Sequence, residues 1–282
     1  MRIYAVLIYI FLYFPIMLIV GFSFNAGHYA MSWQGFSLAW YGKAFSNPLI
    51  LQALGTSLLI AFSTAILSAV IGTMTALGLE RVRGRTRQIY DALLYIAIMV
   101  PGIVIGISTL IAFVTLFGMV NPILQSAWNI KIEMGVWTVI AAHVLFNLAV
   151  VCFLVRARLT GMDRSLVEAS EDLYASPWGT FRQVVLPLLM PSILAGLLLS
   201  FTFSFEDFII TFFVAGPNVT LPIYVFSSIR RGVTPEINAV GTVVLMTSLI
   251  LLFAAQFILQ RSTKQSTRSS PEDVKPNRGR VR

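Results

Sequence analysis

The chain has 282 residues, of which 57% are hydrophobic and only 11% are charged, with a mean hydropathy of +0.82. Because soluble domains carry about 25% charged residues, this chain lacks the polar surface of a water-soluble globule and is predicted to be an integral membrane protein. The formal net charge is +8, but the basic residues cluster beside apolar runs, which argues against nucleic-acid binding. A single cysteine, Cys152, excludes an intrachain disulfide.

Six apolar runs are each long enough to cross a bilayer, which takes about 20 residues. The predicted spans cover residues 3–24, 54–79, 92–117, 135–155, 187–215 and 238–260. Together they predict an all-α membrane domain over residues 1–260. The first run is longer than the core of a signal peptide, and no convincing small-residue cleavage site follows it, so we interpret it as a retained span.

The basic residues orient these spans. All but four of the 20 lysines and arginines fall on one side, the exceptions being Lys43, Lys131, Arg230 and Arg231. Positive charge concentrates on the cytoplasmic side of membrane proteins, so both termini are predicted to be cytoplasmic. The connections at 25–48, 121–133 and 216–236 are then external, the last with a short helix from Ile223 to Arg230. Residues 261–282 have almost no apolar content and are predicted to form a disordered basic tail.

The cytoplasmic connection between spans four and five, residues 160–187, carries a helix pattern of its own. Asp163 is predicted to cap a helix that begins at Arg164, and Ser176 followed by Pro177 predicts the start of a second helix. A helix lying on a membrane usually has a basic polar face, whereas this one is acidic, with Glu168 among its acids. The pattern therefore favours a surface on which a soluble partner docks.

This connection resembles the cytoplasmic loop of binding-protein-dependent ABC importer permeases. The family pattern begins Glu-Ala-Ala, has Gly six residues after the Glu and ends Leu-Pro. Ser170 replaces the second alanine here, and Tyr174 replaces the glycine, which often has a positive φ at a helix end. A tyrosine in that conformation costs about 1 kcal/mol. The resemblance implies a coupling helix pair that fits a groove on an ATPase subunit, through Glu168, Ala169, Ser170, Asp172, Leu173 and Tyr174.

Residues 200–208 and 215–239 resemble the second permease subunit of spermidine/putrescine importers, and the close match covers residues 168–252. It implies a bacterial inner-membrane permease that moves polyamines by alternating access. The expected partners are a homologous second permease, two ATPase subunits that bind ATP and Mg, and an extracytoplasmic binding protein. The alternatives are an importer of another solute (4-aminobutyrate, an opine, thiamine or ferric iron), a gradient-driven secondary transporter, and a non-transporting membrane scaffold.

Two acids, Glu206 and Asp207, interrupt the fifth apolar run. A charge at the centre of a bilayer costs roughly 2.5–3.5 kcal/mol on insertion scales, so it marks a functional site. The spacing of 4, 3 and 4 between Ser200, Ser204, Asp207 and Thr211 places them on one face of a continuous helix. The predicted substrate pathway is lined by Ser204, Glu206, Asp207 and Thr211.

Two other uses of these acids remain open, namely an ion pair with a neighbouring helix or simple access to water near the end of the span. In the fourth span, His143 and Asn147 are predicted to make interhelical hydrogen bonds.

The sequence has no phosphate-binding Gly-x-x-x-x-Gly-Lys-Ser/Thr motif. It has two histidines far apart and one cysteine, and this pattern predicts no metal site. We therefore expect no catalytic residues and no cofactor on this chain, with the energy for transport supplied by the partner ATPase.

Overall fold

A computed structural model describes residues 2–27, 32–230 and 232–268. Six helices in this part are long and apolar enough to cross a membrane, which confirms the predicted all-α membrane fold. The helices, in chain order, are α1 (Arg2–Phe22), α2 (Ala39–Ser46), α3 (Pro48–Arg81), α4 (Gly84–Met99), α5 (Gly102–Trp128), α6 (Val136–Thr160), α7 (Ser165–Asp172), α8 (Pro177–Thr180), α9 (Leu186–Glu206), α10 (Ile209–Val214), α11 (Leu221–Ile229) and α12 (Pro235–Arg268). A π-helical segment, Phe181–Val185, joins α8 to α9.

The core of the bundle lies between α3, α6 and α9, with α12 packed along α9. Small residues let these helices approach closely, as is usual in membranes, where apolar burial alone does not drive helix association. A Cβ added at Gly72 of α3 would lie 2.8 Å from the Val151 Cβ of α6, and one at Gly196 of α9 would lie 3.3 Å from the Val151 side chain. Val151 is therefore held between two glycines and fixes the spacing of the three core helices.

The second span begins earlier than predicted. The prediction placed its start at residue 54, whereas α3 begins at Pro48. The Asn47 side chain accepts a hydrogen bond from Leu49 N (3.0 Å), and Pro48 occupies the first helical position. Asn47 also donates to Glu236 Oε1 of α12 (3.0 Å). This capping residue therefore ties the beginnings of two spans together.

The third span is not the helix 92–117 that the sequence predicted, because the helix of membrane-spanning length is α5 alone, Gly102–Trp128. Instead, α4 ends at Met99 and α5 begins at Gly102, with Val100 extended at ψ 128°. The reason is Pro101, because proline disfavours the α conformation in the residue before it. The external connection predicted at 121–133 is also too long, since α5 continues through Pro122 to Trp128.

The fifth span is also shifted, because the helix of membrane-spanning length covers Pro177–Glu206, and the continuous helix predicted over 187–215 is wrong. After α9 ends at Glu206, Asp207 has an extended backbone with ψ 120°, and α10 starts at Ile209. Asp207 Oδ1 accepts a hydrogen bond from Thr211 N (3.0 Å). It thereby satisfies one of the amides that a new helix leaves without a partner in its first turn.

The remaining connections agree more closely with the sequence. The short helix predicted from Ile223 to Arg230 is present as α11. The last helix extends to Arg268, beyond residue 261, where the disordered tail was predicted to begin. Residues 269–282 of that tail and Arg231 lie outside the described residues.

Candidate functional site

Four polar side chains meet inside the bundle at the break in the fifth span; we call them the polar cluster (His143, Ser204, Asp207 and Thr211). His143 of α6 is only 2% exposed. Its Nδ1 lies 2.7 Å from Ser204 Oγ, and its Nε2 lies 3.3 Å from Asp207 Oδ1 and 3.1 Å from Thr211 Oγ1. Both ring nitrogens therefore make hydrogen bonds, and the imidazole joins α6 to both α9 and α10.

The chemistry of the partners assigns the protons in this cluster. The Asp207 carboxylate accepts hydrogen bonds only, so Nε2 carries the hydrogen toward it, and the Ser204 hydroxyl is the partner of Nδ1. Thr211 also donates its hydroxyl to Asp207 Oδ1 (3.3 Å). Every contact of Asp207 with a described residue uses Oδ1. The Oδ2 atom is therefore left to accept a hydrogen bond from a ligand or from water.

The break in the helix changes the grouping that the sequence predicted. Ser204, Asp207 and Thr211 do come together, but through a turn of the chain toward His143 rather than along one helical face. Glu206 is exposed and makes no hydrogen bond or ion pair with a described residue. Ser200 is fully buried, and its hydroxyl has no partner among the described residues. Of the two adjacent acids, Glu206 is therefore exposed, whereas Asp207 is held by hydrogen bonds to His143 and Thr211.

His143 makes the interhelical contacts predicted for it, whereas Asn147 does not. The Asn147 Nδ2 donates to His143 O of its own helix (2.9 Å), and its Oδ1 is buried without a partner among the described residues. The sequence signal for His143 was a single imidazole in an apolar run. Its partners lie more than 60 residues away along the chain, so spacing within α6 gave no means of identifying them.

A cavity of about 280 Å³ lies beside the polar cluster, where the break between α4 and α5 approaches the break between α9 and α10. Its polar wall is formed by His143, Asn147 and Asp207. Its apolar wall comes from α4, α5, α6, α9, α10 and the α4–α5 break, through Ile98, Val100, Gly102, Ile105, Phe146, Phe203 and Ile210. Membrane transporters often place substrate sites at discontinuous helices of this kind, where irregular backbone lines a cavity.

The connection 160–187 forms a helix, a turn and a second helix, as the sequence predicted. The first helix begins at Ser165 rather than at Arg164. Asp163 Oδ1 accepts a hydrogen bond from Ser165 N (2.9 Å), and hydrogen bonding to Ser165 lowers the pKa of the Asp163 carboxyl. The second helix has the predicted cap, since Ser176 Oγ accepts from Gly179 N (3.1 Å) and Pro177 takes the first helical position.

Tyr174 lies in the turn between the two helices, with φ 57°. The left-handed conformation expected for the family glycine is therefore present and is adopted by a tyrosine. The Tyr174 side chain is 97% exposed, beside Leu173 at 81% and Trp178 at 69%. The Ser170 and Thr180 hydroxyls, 3.0 Å apart, join the two helices behind them. We call the exposed apolar group formed by Leu173, Tyr174 and Trp178 the loop patch.

Charged side chains connect this loop to the bundle. Arg164, just before α7, lies 3.9 Å from Glu80 near the end of α3. Arg156 of α6 is paired with Asp91 of α4. Arg158 donates its Nε to Leu188 O of α9 (3.2 Å). The end of the bundle that bears the loop is thus crosslinked among α3, α4, α6 and α9, and Arg164 joins the loop to α3.

Comparison with known proteins identifies the group to which this architecture belongs. Residues 68–265 match the family described as "Binding-protein-dependent transport system inner membrane component". The chain is 37% identical over 261 residues to the spermidine/putrescine transport system permease protein PotC of Escherichia coli, covering 92% of this chain and 94% of that protein. It is 38% identical over 260 residues to the putrescine transport system permease protein PotI of the same species, covering 92% and 90%.

The fold is also similar to that of a solved transporter of low sequence identity. A chain of a bacterial alginate ABC transporter, in complex with a periplasmic protein bound to an alginate pentasaccharide, superposes with a TM-score of 0.68. The alignment covers 93% of this chain and 94% of that one, at 15% identity.

Proposed function

Because the chain belongs to the family of inner-membrane components of binding-protein-dependent transport systems, we propose that it is a permease subunit of an ATP-driven polyamine importer. The observation that carries this proposal is the identity of 37–38%, over nine-tenths of the chain, to permeases named for spermidine and putrescine. An acid in the broken fifth span supports it, because polyamines are cations and Asp207 keeps one carboxylate oxygen available beside a cavity.

The proposed assembly contains a second, homologous permease, two ATPase subunits and an extracytoplasmic binding protein in a bacterial inner membrane. Both termini and the α7–α8 loop face the cytoplasm in this arrangement, since most basic residues lie on that side. ATP and Mg bind to the ATPase subunits. The binding protein delivers the substrate to the opposite face, and the two permeases expose the pathway to one side and then to the other.

The docking role of the α7–α8 loop rests on its surface chemistry. Three large apolar side chains of the loop patch are exposed together, beside exposed acids such as Glu168 and Asp172. An exposed apolar patch with a polar rim is typical of a protein-binding surface. We propose that the ATPase covers this patch and contacts Glu168, and that the charged links to α3 and α9 carry its movement into the bundle.

The substrate pathway proposed from the same reasoning passes Glu206, Asp207, Ser204 and Thr211. Asp207 supplies charge to the cavity and is held in place by His143 and Thr211. Glu206, being exposed, is free to contact a cation on the surface that the second permease would cover. Ser204 and Thr211 act on the substrate indirectly, by fixing the imidazole and the carboxylate.

Uptake by the reconstituted assembly tests the proposal. The permease pair, ATPase and binding protein are placed in proteoliposomes, and accumulation of labelled putrescine and spermidine is measured with ATP or with a proton gradient alone. We expect accumulation only with ATP and the loaded binding protein. Accumulation driven by the gradient without ATP would favour a secondary transporter, and ATP-driven uptake of 4-aminobutyrate or thiamine instead would favour another importer.

A further inference from the structure

The cavity beside the polar cluster has unpaired hydrogen-bond acceptors that the contacts within the protein leave unexplained. Asn147 borders this cavity and is 2% exposed, yet its Oδ1 accepts no hydrogen bond from a described residue. The amide nitrogen and oxygen are told apart because Nδ2 donates to the carbonyl of His143. A buried acceptor without a donor is costly, so a donor is expected to reach this oxygen during the working cycle.

A second acceptor lies close to the first. Asp207 borders the same cavity and its side chain is 22% exposed. Its Oδ1 is occupied by His143 and Thr211, which leaves Oδ2 as the atom that can accept from a ligand. Asn147 Nδ2 donates to the His143 carbonyl and Asp207 Oδ1 lies beside the His143 ring, so both residues border the cavity next to His143. Together they suit a group that carries several donors and a positive charge.

The other walls of the cavity fit the rest of such a ligand. Phe146 and Phe203 border it with ring centroids 6.0 Å apart, and aromatic faces attract ammonium groups. The remaining lining is aliphatic, including Ile105 and Ile210. A volume of about 280 Å³ lies just below the range for small-molecule sites, which is about 300–1,000 Å³. A slender apolar chain with a charged end fits this mostly apolar lining better than a sugar with many hydroxyl groups does.

We propose that this cavity is a binding site for one primary ammonium end of a linear polyamine, with Asn147 as a specificity-determining residue. The inference rests on the proposed transport function and deepens it. The ammonium donates to Asp207 Oδ2 and, after a small rotation of the amide, to Asn147 Oδ1. The aromatic rings lie against the cation, and the aliphatic wall packs against the methylene chain. His143 is a positioning residue that holds Asp207 in the cavity.

The two helix breaks contribute residues to the proposed ammonium site. Pro101 ends α4 and opens the wall formed by Val100 and Gly102. The extended backbone at Asp207 ends α9 and turns the carboxylate toward His143. Residues at both breaks therefore border the proposed ammonium site.

The test compares Asn147→Leu with Ser68→Ala in the assembled transporter. Both parent side chains are buried polar groups with an oxygen that has no described partner, but Ser68 does not border the cavity. The maximal rate of ATP-driven putrescine uptake is measured with saturating loaded binding protein, so that ligand capture does not limit the rate. We expect Asn147→Leu to lower the maximal uptake rate about ten- to hundred-fold, which is the range for losing a hydrogen bond to a charged group. We expect Ser68→Ala to keep this rate within about twofold of wild type, because the Ser68 hydroxyl has no hydrogen bond to a described residue.

Assembly is quantified in the same samples, and Phe203→Leu provides a second, independent variant if Asn147→Leu does not assemble. Removing one aromatic face while keeping an apolar side chain is expected to lower the rate about two- to thirtyfold. Equal rates in Asn147→Leu, Phe203→Leu and wild type would overturn the ammonium site while leaving polyamine import intact. If the wild-type assembly itself does not take up polyamine, the proposed function has failed, and that result is distinct from failure of the site.

Discussion

The polar cluster and the α7–α8 loop both contain acids that sequence reasoning selected as functional, but the two regions hold them in opposite ways. Asp207 is fixed by three hydrogen bonds to His143 and Thr211, inside the bundle. Glu168 is exposed on a short helix that is connected to the bundle by one ion pair and a few hydrogen bonds. The first region is prearranged for a ligand, and the second is open to a partner.

This difference suggests a division of labour. A carboxylate in a low-dielectric environment acts strongly on a cation that reaches it, provided that its position is fixed. An exposed acid contributes little by itself, because water screens it, and it becomes important only when a partner excludes that water. We therefore expect substitutions in the cluster to alter passage of the substrate, and substitutions in the loop to alter the link to the ATPase.

The largest effect is expected for Asp207→Asn, which keeps the shape and the acceptor oxygen but removes the charge. A charge-assisted hydrogen bond to an ammonium contributes about 1.5–3 kcal/mol, so uptake of labelled putrescine should fall about ten- to hundred-fold. Complex formation is measured alongside, since Asp207 also begins α10. Wild-type uptake by an assembled variant would remove Asp207 from the pathway.

A smaller but clear effect is expected for Glu168→Lys, which reverses charge in the proposed docking surface. Reversing the charge of a residue in an interface weakens association with a complementary partner, so ATP-coupled uptake should fall about tenfold while membrane insertion is retained. Glu133→Lys is the matched control, because Glu133 is an exposed acid outside the loop whose ion-pair partner among the described residues is Lys131. Equal activity of the two variants would contradict the docking role.

Glu206→Gln is expected to be milder than Asp207→Asn. Because Glu206 is exposed and unpaired among the described residues, its contact with a cation resembles a surface ion pair worth roughly 0.2–1 kcal/mol. Uptake should therefore fall about two- to fivefold at most. A larger loss in Glu206→Gln than in Asp207→Asn, measured at equal amounts of assembled complex, would reverse the roles assigned to the two acids.

The smallest effect is expected for Tyr174→Gly. Because the residue has φ 57°, glycine should relieve about 1 kcal/mol of backbone strain in the loop while transport is retained. Local stability of the loop is followed by amide hydrogen exchange of α7, which should slow slightly. A complete loss of ATPase binding would mean that the Tyr174 ring makes a contact of its own with the partner.

The sequence was most informative where local chemistry decides the structure. Ser176 and Pro177 predicted the start of α8, because capping depends on a few neighbouring residues. The positive φ at Tyr174 was expected only from the glycine that the family pattern has there. Span number followed from apolar length alone. The docking role inferred from these features remains a prediction.

The sequence was least informative where distant parts of the chain meet. The length of an apolar run does not show where a helix ends inside it, so the sequence placed Pro101 and Asp207 within continuous helices. The helical face predicted from Ser200 to Thr211 is absent because the helix ends between them, at Glu206. The cavity needs residues from several helices, and the role proposed for Asn147 depends on an oxygen that has no partner among the described residues. An unpartnered oxygen beside a cavity results from how the helices pack, and the spacing of residues along the sequence does not show it.

The central claim is that cation passage and ATPase coupling reside in these two separate regions. The most direct test measures putrescine uptake and ATP hydrolysis together in proteoliposomes, with loaded binding protein added to wild type, Asp207→Asn and Glu168→Lys. We expect Asp207→Asn to lower putrescine uptake while the loaded binding protein still stimulates ATP hydrolysis. We expect Glu168→Lys to abolish the stimulation of ATP hydrolysis by the loaded binding protein. If both variants lost hydrolysis and uptake in the same proportion, or if neither changed, the separation of the two regions would be contradicted.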